Sequence, residues 1–248
     1  MRQQAIKAVR EGQTATSITA AFGLNVRTVF NWLAKFFDGG EEALLAKQQD
    51  AAFVRRWETE TYPEIRAQAS SVGATVYFAD EAGIRSDSHA GTMWVPVGET
   101  PVVTVTGRRF SLNMISAVSP RGDFRFMVHD GSVTSPTFKE FLKRLMIGAT
   151  RPVFVIMDGH PIHKLRLVQD FVDGLDGQLK LFYLPPYSPH LNPDEQVWVH
   201  VKRRVSKQAV QAKDDMKKLA LGALRRIQKL PRLVKFFFQQ PECHYASQ

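Results

Sequence analysis

The first 47 residues carry apolar positions at the three-to-four-residue spacing of short helices. Within residues 14–37, TATSITAAFGLNVRTVFNWLAKFF, Gly23 stands at a bend and Asn25 is able to cap the helix that follows. This spacing predicts a helix-turn-helix whose second helix spans about 26–37. The apolar positions that define it are Ile18, Phe22, Leu24, Val29 and Trp32.

The polar side of the predicted second helix is a candidate for reading DNA. Arg27, Thr28, Asn31 and Lys35 would point away from its buried positions. Arginine and asparagine can contact guanine and adenine edges in the major groove. The alternative is an ordinary helical hairpin with a solvated polar face. Thr19 departs from the usual helix-turn-helix pattern, because a small alanine is commonest at its position.

The pattern changes after residue 48 and again after residue 73. The stretch 48–72 reads as a connecting helix with a break near Pro63. Candidate strands then lie at 74–79, about 101–106, 111–118, 124–129, 152–157 and 179–184, and candidate helices at 136–148, 162–173 and 193–209. Short turns between the early strands predict an antiparallel meander, and the later helix-separated strands predict parallel additions.

The predicted fold class is therefore α/β, a mixed sheet flanked by helices and preceded by a small all-α domain. We predict a helix-turn-helix DNA-binding domain at 1–47, a connecting helix or linker at 48–72, and an α/β domain at 73–248.

Two predicted strands are followed directly by an aspartate. FADEAG places Asp80, and VIMDGHP places Asp158, after apolar runs. Open α/β sheets bind ligands at the carboxyl edge of their strands. If the two strands are parallel neighbours, the two carboxylates lie close together. The alternative for either aspartate alone is a turn, since Asp158 is followed by a glycine.

The stretch LPPYSPHLNPDEQVW, residues 184–198, supplies a third acid. Asn192 is a strong N-cap, Pro193 suits the first helical position, and Glu195 could complete a capping box. The helix alone would then explain Glu195, and its dipole would explain Asp194. The prolines, however, fix where the helix begins, which suits a glutamate that must reach the two aspartates.

The helix that starts in this stretch predicts a buried stripe and a cationic end. Valines recur at every fourth position, and Lys202, seven residues after Glu195, returns to nearly the same side of the helix. Arg203 and Arg204 stand beside Lys202. Cations in this position suit a phosphate backbone that approaches a metal, and a solvated surface cluster is the alternative.

Composition points to a polyanionic partner. Lys and Arg total 33 against 24 Asp and Glu, which gives a formal charge of +9. The single cysteine, Cys243, cannot form an internal disulfide and fits a reducing compartment. The sequence shows neither an apolar run near the roughly 20 residues of a membrane span nor a signal-peptide core. We expect a cytoplasmic protein without a membrane partner.

Three carboxylates brought together raise one another's pKa unless a cation neutralises them. Hard oxygen ligands select Mg²⁺ or Mn²⁺ over zinc. Two such ions about 3.5 to 4 Å apart would activate a water or a 3′-hydroxyl and stabilise the leaving oxygen. His160 and His163 have no nearby cysteine to make a zinc site, so we expect His163 to orient an acid or a phosphate.

Together, FADEAG, VIMDGHPIHK and YLPPYSPHLNPDEQVW resemble the DDE transposases of the bacterial insertion sequence 630 family, relatives of the mariner elements. Asp158 follows Asp80 by 78 residues and Glu195 follows Asp158 by 37, as in that family. The catalytic resemblance covers roughly 50–240. It implies an RNase H-like catalytic domain in which Asp80, Asp158 and Glu195 are the catalytic metal ligands. Glu81 and Asp194 are then neighbours of the triad.

The resemblance also implies an activity. Members of the family bind their terminal inverted repeats, hydrolyse phosphodiester bonds at the element's ends, and attack target DNA with the freed 3′-hydroxyl. They usually act as dimers or larger synaptic assemblies. The resemblance also implies a bacterial protein that is associated with the nucleoid when it is bound to DNA.

One departure from the family lies before the catalytic domain. A second helical DNA-binding module is usual there, but only about thirty residues separate GGEEALLAK, 39–47, from Asp80. The chain reads as an internally shortened copy. Two alternatives therefore stay open: an inactive DNA-binding remnant that inhibits full-length relatives, and a metal-dependent nuclease of the same fold.

Overall fold

A computed structural model describes residues 1–40, 49–86, 110–206, 210 and 212–247 of the chain. The strand predicted at about 101–106 and most of GGEEALLAK lie outside the described residues. The chain divides into two compact units, Met1–Gln48 and Gln49–Gln248.

The first unit contains three described helices: α1 (Arg2–Arg10), α2 (Ala15–Phe22) and α3 (Val26–Gly39). Gly23 ends α2 in the left-handed conformation, at φ 61°, which a residue with a β-carbon adopts only with strain. The side-chain oxygen of Asn25 then accepts a hydrogen bond from the backbone N–H of Arg27 at 2.9 Å. The predicted bend and cap are thus confirmed.

The core of this unit is small and apolar. Ala5, Ile18 and Val29 are fully buried at the centre, and partly buried side chains such as Trp32 pack around them. Thr19 fits this core because its hydroxyl donates to the backbone oxygen of Thr16 at 2.8 Å. The departure at Thr19 therefore leaves no unsatisfied polar group.

The second unit begins with a helix in three parts: α4 (Ala51–Arg56), a wider π-helical turn (Trp57–Thr61) and α5 (Tyr62–Val72). The predicted break near Pro63 is wrong, because the helix continues through this position. A wider turn precedes Pro63, which lacks the N–H that a regular helix needs. Trp57, Tyr62 and Ile65 are buried in the core of the second unit. The segment predicted as a connector therefore packs as part of that unit.

The described residues of the second unit form a central sheet of five strands in the order β3-β2-β1-β4-β5. Its strands are β1 (Thr75–Arg85), β2 (Ser111–Val118), β3 (Phe124–His129), β4 (Val153–Met157) and β5 (Leu179–Tyr183). β1, β2 and β3 pair antiparallel, whereas β4 and β5 add in parallel. The predicted meander with parallel additions is confirmed.

The prediction that the first strand ends before Asp80 is wrong. β1 continues to Arg85 because β2 goes on pairing with it, as far as Arg85 opposite Ser111. The parallel ladder between β1 and β4 ends earlier, at Phe78 opposite Ile156. Asp80 therefore lies just beyond the carboxyl end of that ladder, where a ligand site was expected.

Helices cover both faces of the sheet. One face packs against α6 (Ser135–Met146) and α7 (Arg166–Asp173), and the other against α5, α8 (Glu195–Val205), α9 (Lys213–Gln228) and α10 (Pro231–Phe237). The predicted helix at 162–173 divides into a 3₁₀ turn (Pro161–Lys164) and α7. The predicted valine stripe on α8 is confirmed, since Val197, Val201 and Val205 are buried. No described helix is long and apolar enough to cross a membrane.

Candidate active site

Neighbouring acids on β1 point to opposite faces of the sheet, because side chains alternate along a strand. Asp80 faces α8, where the indole Nε1 of Trp198 donates to Asp80 Oδ2 at 2.7 Å. Glu81 faces α6, and its Oε1 lies 3.0 Å from Nε2 of His163. The side chains of Asp80 and Glu81 therefore contact different elements, α8 and the turn that carries His163.

Asp158 follows β4 and is held by the turn after it. Its Oδ1 accepts a hydrogen bond from the backbone N–H of His160 at 3.1 Å and lies 3.1 Å from Nδ1 of His163. The ring of His163 is buried and bridges Asp158 on one side and Glu81 on the other. His163 thus contacts two acids, as an orienting residue would.

The prediction that Asn192 caps the start of α8 is confirmed, since its side-chain oxygen accepts a hydrogen bond from the backbone N–H of Asp194 at 3.1 Å. The prediction that Glu195 completes a capping box is wrong, because the N–H of Asn192 already bonds to the backbone oxygen of Pro189. α8 begins at Glu195, and its first N–H groups bond to backbone oxygens of the preceding turn, such as Glu195 N to Asn192 O at 3.2 Å. Because backbone oxygens satisfy these donors, the side chain of Glu195 is not needed for capping.

Asn192 also connects the two elements that carry Asp80 and Glu195. Its Nδ2 donates to the backbone oxygen of Ala79, the residue before Asp80, at 3.0 Å. Its Oδ1 accepts from the backbone N–H of Asp194, the residue before Glu195, at 3.1 Å. The buried amide of Asn192 therefore fixes the start of α8 against β1.

Asp194 is fully buried beneath the start of α8 and does not reach the surface. The hydroxyl of Ser116 on β2 donates to Asp194 Oδ2 at 2.7 Å. Burial, and then the charge of Asp80, raise the pKa of Asp194 well above its ordinary value. Asp194 therefore anchors α8 to the sheet, and Glu195 is the acid that faces solvent.

Asp80, Asp158 and Glu195 line one cavity of about 540 Å³. The proline-rich stretch before α8 forms part of its wall, and Lys164 contributes a cation. Nζ of Lys164 lies 4.6 Å from the centre of the Tyr183 ring, which holds the ammonium group in place. Lys164 was not singled out from the sequence, although it follows Asp158 by only six residues.

The pKa values of the three acids are shifted in different directions. Burial, and then the charge of Glu195, raise the pKa of Asp80 to about 7. Burial also raises the pKa of Glu195, whose carboxyl lies within hydrogen-bonding reach of Asp80. By contrast, the hydrogen bond from His163 lowers the pKa of Asp158. Burial would lower the pKa of His163, but its bonds to Asp158 and Glu81 outweigh burial and raise it to about 9.

The acids fit a hard divalent cation. Within the described ranges, no three acidic, histidine or cysteine side chains stand close enough to form a ready-made metal group, since Asp158 turns to His163. Asp80 and Glu195, however, bring carboxylate oxygens together at the cost of mutual repulsion. A cation between carboxylates removes that repulsion, and oxygen donors select Mg²⁺ or Mn²⁺.

The side chains predicted to bind DNA lie in three separate places. Arg27, Asn31 and Lys35 are exposed on α3, with Thr28 partly buried among them. Lys202 is near enough to Glu195 for its charge to oppose the rise in the pKa of that acid. Arg203 and Arg204 turn away from the acids and line a different cavity, against α9.

Comparison with family models gives two matches along the chain. Residues 75–217 match the DDE superfamily endonuclease family, and residues 1–45 match the homeodomain-like domain. No curated protein matches the chain.

Solved structures similar to this chain include several of the Mos1 transposase. The Mos1 mariner paired end complex with Mn has a TM-score of 0.56 at 12% identity, covering 100% of this chain and 97% of that one. A pre-cleavage Mos1 transpososome has a TM-score of 0.56 at 14% identity, covering 99% and 78%. The catalytic domain of Mos1 mariner transposase has a TM-score of 0.50 at 13% identity, covering 82% and 98%.

These similarities confirm the predicted RNase H-like fold class, a mixed five-stranded sheet flanked by helices with a helical N-terminal unit. The endonuclease match spans more than half of the residues and includes the positions of all three acids that line the cavity. The chain therefore belongs to the DDE superfamily of endonucleases.

Proposed function

We propose that this chain is a DNA transposase that cleaves the ends of its element and joins them to target DNA. The observation that carries the proposal is the single cavity lined by Asp80, Asp158 and Glu195, in a DDE endonuclease that also has a homeodomain-like unit. One similar structure is the Mos1 transposase paired-end complex with left transposon end, which supports element ends as the DNA. The domains we assign are DNA binding at 1–47, a connecting helix at 48–72 that packs on the catalytic domain, and catalysis at 73–248.

Asp80, Asp158 and Glu195 would hold two Mg²⁺ or Mn²⁺ ions. When bound, such ions would activate the attacking oxygen and neutralise charge on the phosphoryl group. Two similar structures are Mos1 mariner paired end complexes with Mn and with Mg, which supports the choice of metal.

The residues around the acids hold them in place. Trp198 fixes one oxygen of Asp80, so the other oxygen is directed toward the cavity. His163 restrains Asp158 through Nδ1. Lys164, in the cavity wall, is placed to contact a phosphate of the bound strand. Preorganised groups of this kind lower the cost of reaching the reactive geometry.

The DNA partners we propose are the terminal inverted repeats and the target duplex. Because two ends must be cut and joined together, we infer a homodimer within a synaptic complex. The location that follows is the bacterial cytoplasm, on the nucleoid when DNA is bound.

A nicking and strand-transfer assay tests the proposal. Full-length protein is incubated with the DNA that flanks its gene, in the presence of Mg²⁺ or Mn²⁺, and both nicked and joined products are measured. Nicks at the element ends followed by joining are expected. Cleavage of any duplex without joining would instead identify a nuclease, and end binding without cleavage would identify a remnant.

Arg27→Ala should weaken binding to the element end by about 1 to 3 kcal/mol, because a bidentate contact between arginine and guanine contributes that much discrimination. Binding to a duplex of unrelated sequence should fall much less. Fluorescence anisotropy with both duplexes measures the difference. Arg10→Ala, on α1 of the same unit, is the matched control. Equal losses from the two variants would refute the assignment of α3 as the recognition helix.

Asn192→Asp should lower the cleavage rate by about 10- to 100-fold, because it removes the donor to Ala79 and leaves a buried carbonyl unpaired. The metal concentration needed for half-maximal rate should rise as well, since Asp80 and Glu195 would lose their fixed spacing. Asn113→Asp removes a similar bond, to Gly131, outside the cavity and is the control. If both variants cleave like the wild type, Asn192 does not position the acids.

A further inference from the structure

A second cavity, of about 350 Å³, lies between α8, α9 and α10. Its polar wall is formed by His200, Arg203 and Arg204 from α8 and by Arg226 from α9, and the three arginines make it cationic. The active-site cavity and this second one share no lining residue. We call the second one the arginine cavity.

Among the described residues, the three arginines of this cavity have no acidic partner. No acidic residue stands three or four positions from any of them along the chain, and none forms an ion pair with a described residue. Three other helical arginines are paired in this way: Arg56 with Glu60, Arg144 with Glu140, and Arg166 with Asp170. Unpaired guanidinium groups around one cavity repel one another, so an anion bound there would stabilise them.

The potential in the arginine cavity also acts on His200. Partial burial, and then the positive charge of Arg203, lower the pKa of His200 below its ordinary value. The ring of His200 lies 5.4 Å from that of Phe237, which fixes the imidazole at the cavity wall. A neutral imidazole can still donate one hydrogen bond to a phosphate oxygen.

The floor of the arginine cavity is aliphatic. Ile227 is buried, and Leu230 and Leu233 expose part of their side chains toward the opening. A small inorganic anion would use only the cationic wall. A nucleic-acid strand alternates charged phosphates with apolar faces of deoxyribose, so it can use both the arginines and the leucines.

The arginine cavity and the active-site cavity both border α8, although Arg203 and Arg204 turn away from the acids. Arg203 follows Glu195 by eight residues on α8. At 1.5 Å per residue, this is about 12 Å along the helix axis, or roughly three to four base-pair steps of a duplex. Lys202, on the same turn as Arg203, continues the positive charge toward Glu195.

We propose that the arginine cavity binds the phosphodiester backbone of a DNA strand that runs along α8 from the active site. The proposal rests on the transposase function proposed above and adds a site where the strand is held without reading its bases. The strand belongs either to the element end or to the target duplex, since both present the same backbone chemistry.

The test compares Arg226→Gln with Arg225→Gln in the full-length chain. Both residues lie on α9, but only Arg226 lines the arginine cavity. Binding to a short duplex of unrelated sequence is measured without divalent metal over a series of salt concentrations. For Arg226→Gln we expect affinity about three- to tenfold weaker and a slope of log K against log salt smaller by about 0.9, the value for one lost phosphate contact. Arg225→Gln should stay within about twofold of the wild type.

The same variants identify the strand. Loss of end cleavage together with joining would show that Arg226 holds the element end. Loss of joining alone, with cleavage intact, would show that it holds the target. Either result supports the backbone site.

An unchanged salt slope in Arg226→Gln would overturn the proposal. That includes the case in which the variant weakens self-association in sedimentation, because the cavity would then hold an acidic segment of a second copy. The slope comparison needs no catalysis. It therefore decides the arginine cavity even if the wild type neither nicks nor joins DNA, an outcome that would refute the transposase function separately.

Discussion

Asp158→Asn should reduce metal-dependent cleavage of the element end by at least about 10³-fold, because a metal-assisted step draws several kcal/mol from the ion and its ligands. The affinity of the protein for DNA should stay within about twofold. Asp158 carries a metal-binding charge in this account and makes no phosphate contact. Asparagine keeps the shape of the side chain and can still accept the bond from the N–H of His160.

The measurement is a single-turnover nicking assay with Mg²⁺, paired with anisotropy on the same duplex. Asp170→Asn is the matched control, since Asp170 is an exposed aspartate on α7 that lines neither cavity. Cleavage by Asp158→Asn at a rate close to that of the control would exclude Asp158 from the catalytic site.

Asp80→Asn should abolish cleavage and, in the metal-free protein, raise the free energy of unfolding at pH 8 by about 2 to 4 kcal/mol. The raised pKa of Asp80, about 7, means that the folded chain holds this proton more tightly than the unfolded chain does. The stabilisation that this proton gives to the folded chain is complete below about pH 4. It is lost progressively as the pH rises from about 4 through about 7. Asparagine is neutral throughout and can still accept the bond from Trp198.

Thermal unfolding of both proteins from pH 4 to pH 8 tests this expectation. The melting temperatures should agree near pH 4 and diverge as the pH rises, with the variant higher. Added Mg²⁺ should raise the melting temperature of the wild type and leave the variant nearly unchanged. Parallel pH profiles for the two proteins would show that neither burial nor the charge of Glu195 raises the pKa of Asp80 in the folded chain.

Local sequence patterns were enough to predict much of the fold. Helical spacing and the cap at Asn25 predict the first unit, because these interactions lie within four residues of each other. Period-two runs predict the strands, and β1 and β4 are parallel neighbours as the two aspartates required. The predicted end of β1 was wrong because the pairing of β1 with β2 depends on residues more than 25 positions away.

The supporting contacts of the site could not be predicted, since each joins distant parts of the chain. His163 meets Glu81 across 82 residues, and Ser116 meets Asp194 across 78. Asn192 makes the predicted cap bond to Asp194, but its second bond, to Ala79 on β1, joins residues 113 positions apart and could not be predicted. The direction of Arg203 follows from the packing of α8 on α9, and spacing along α8 alone does not determine it.

The most direct test of the central claim is Mn²⁺ binding to the full-length chain with a duplex present, followed by electron paramagnetic resonance. The wild type and Asp170→Asn should bind Mn²⁺ with the same affinity. Asp80→Asn, Asp158→Asn and Glu195→Gln should each weaken binding by at least about tenfold, because each removes one charged ligand. Binding of equal strength in all three variants would show that these acids do not form one metal site, and would contradict the account.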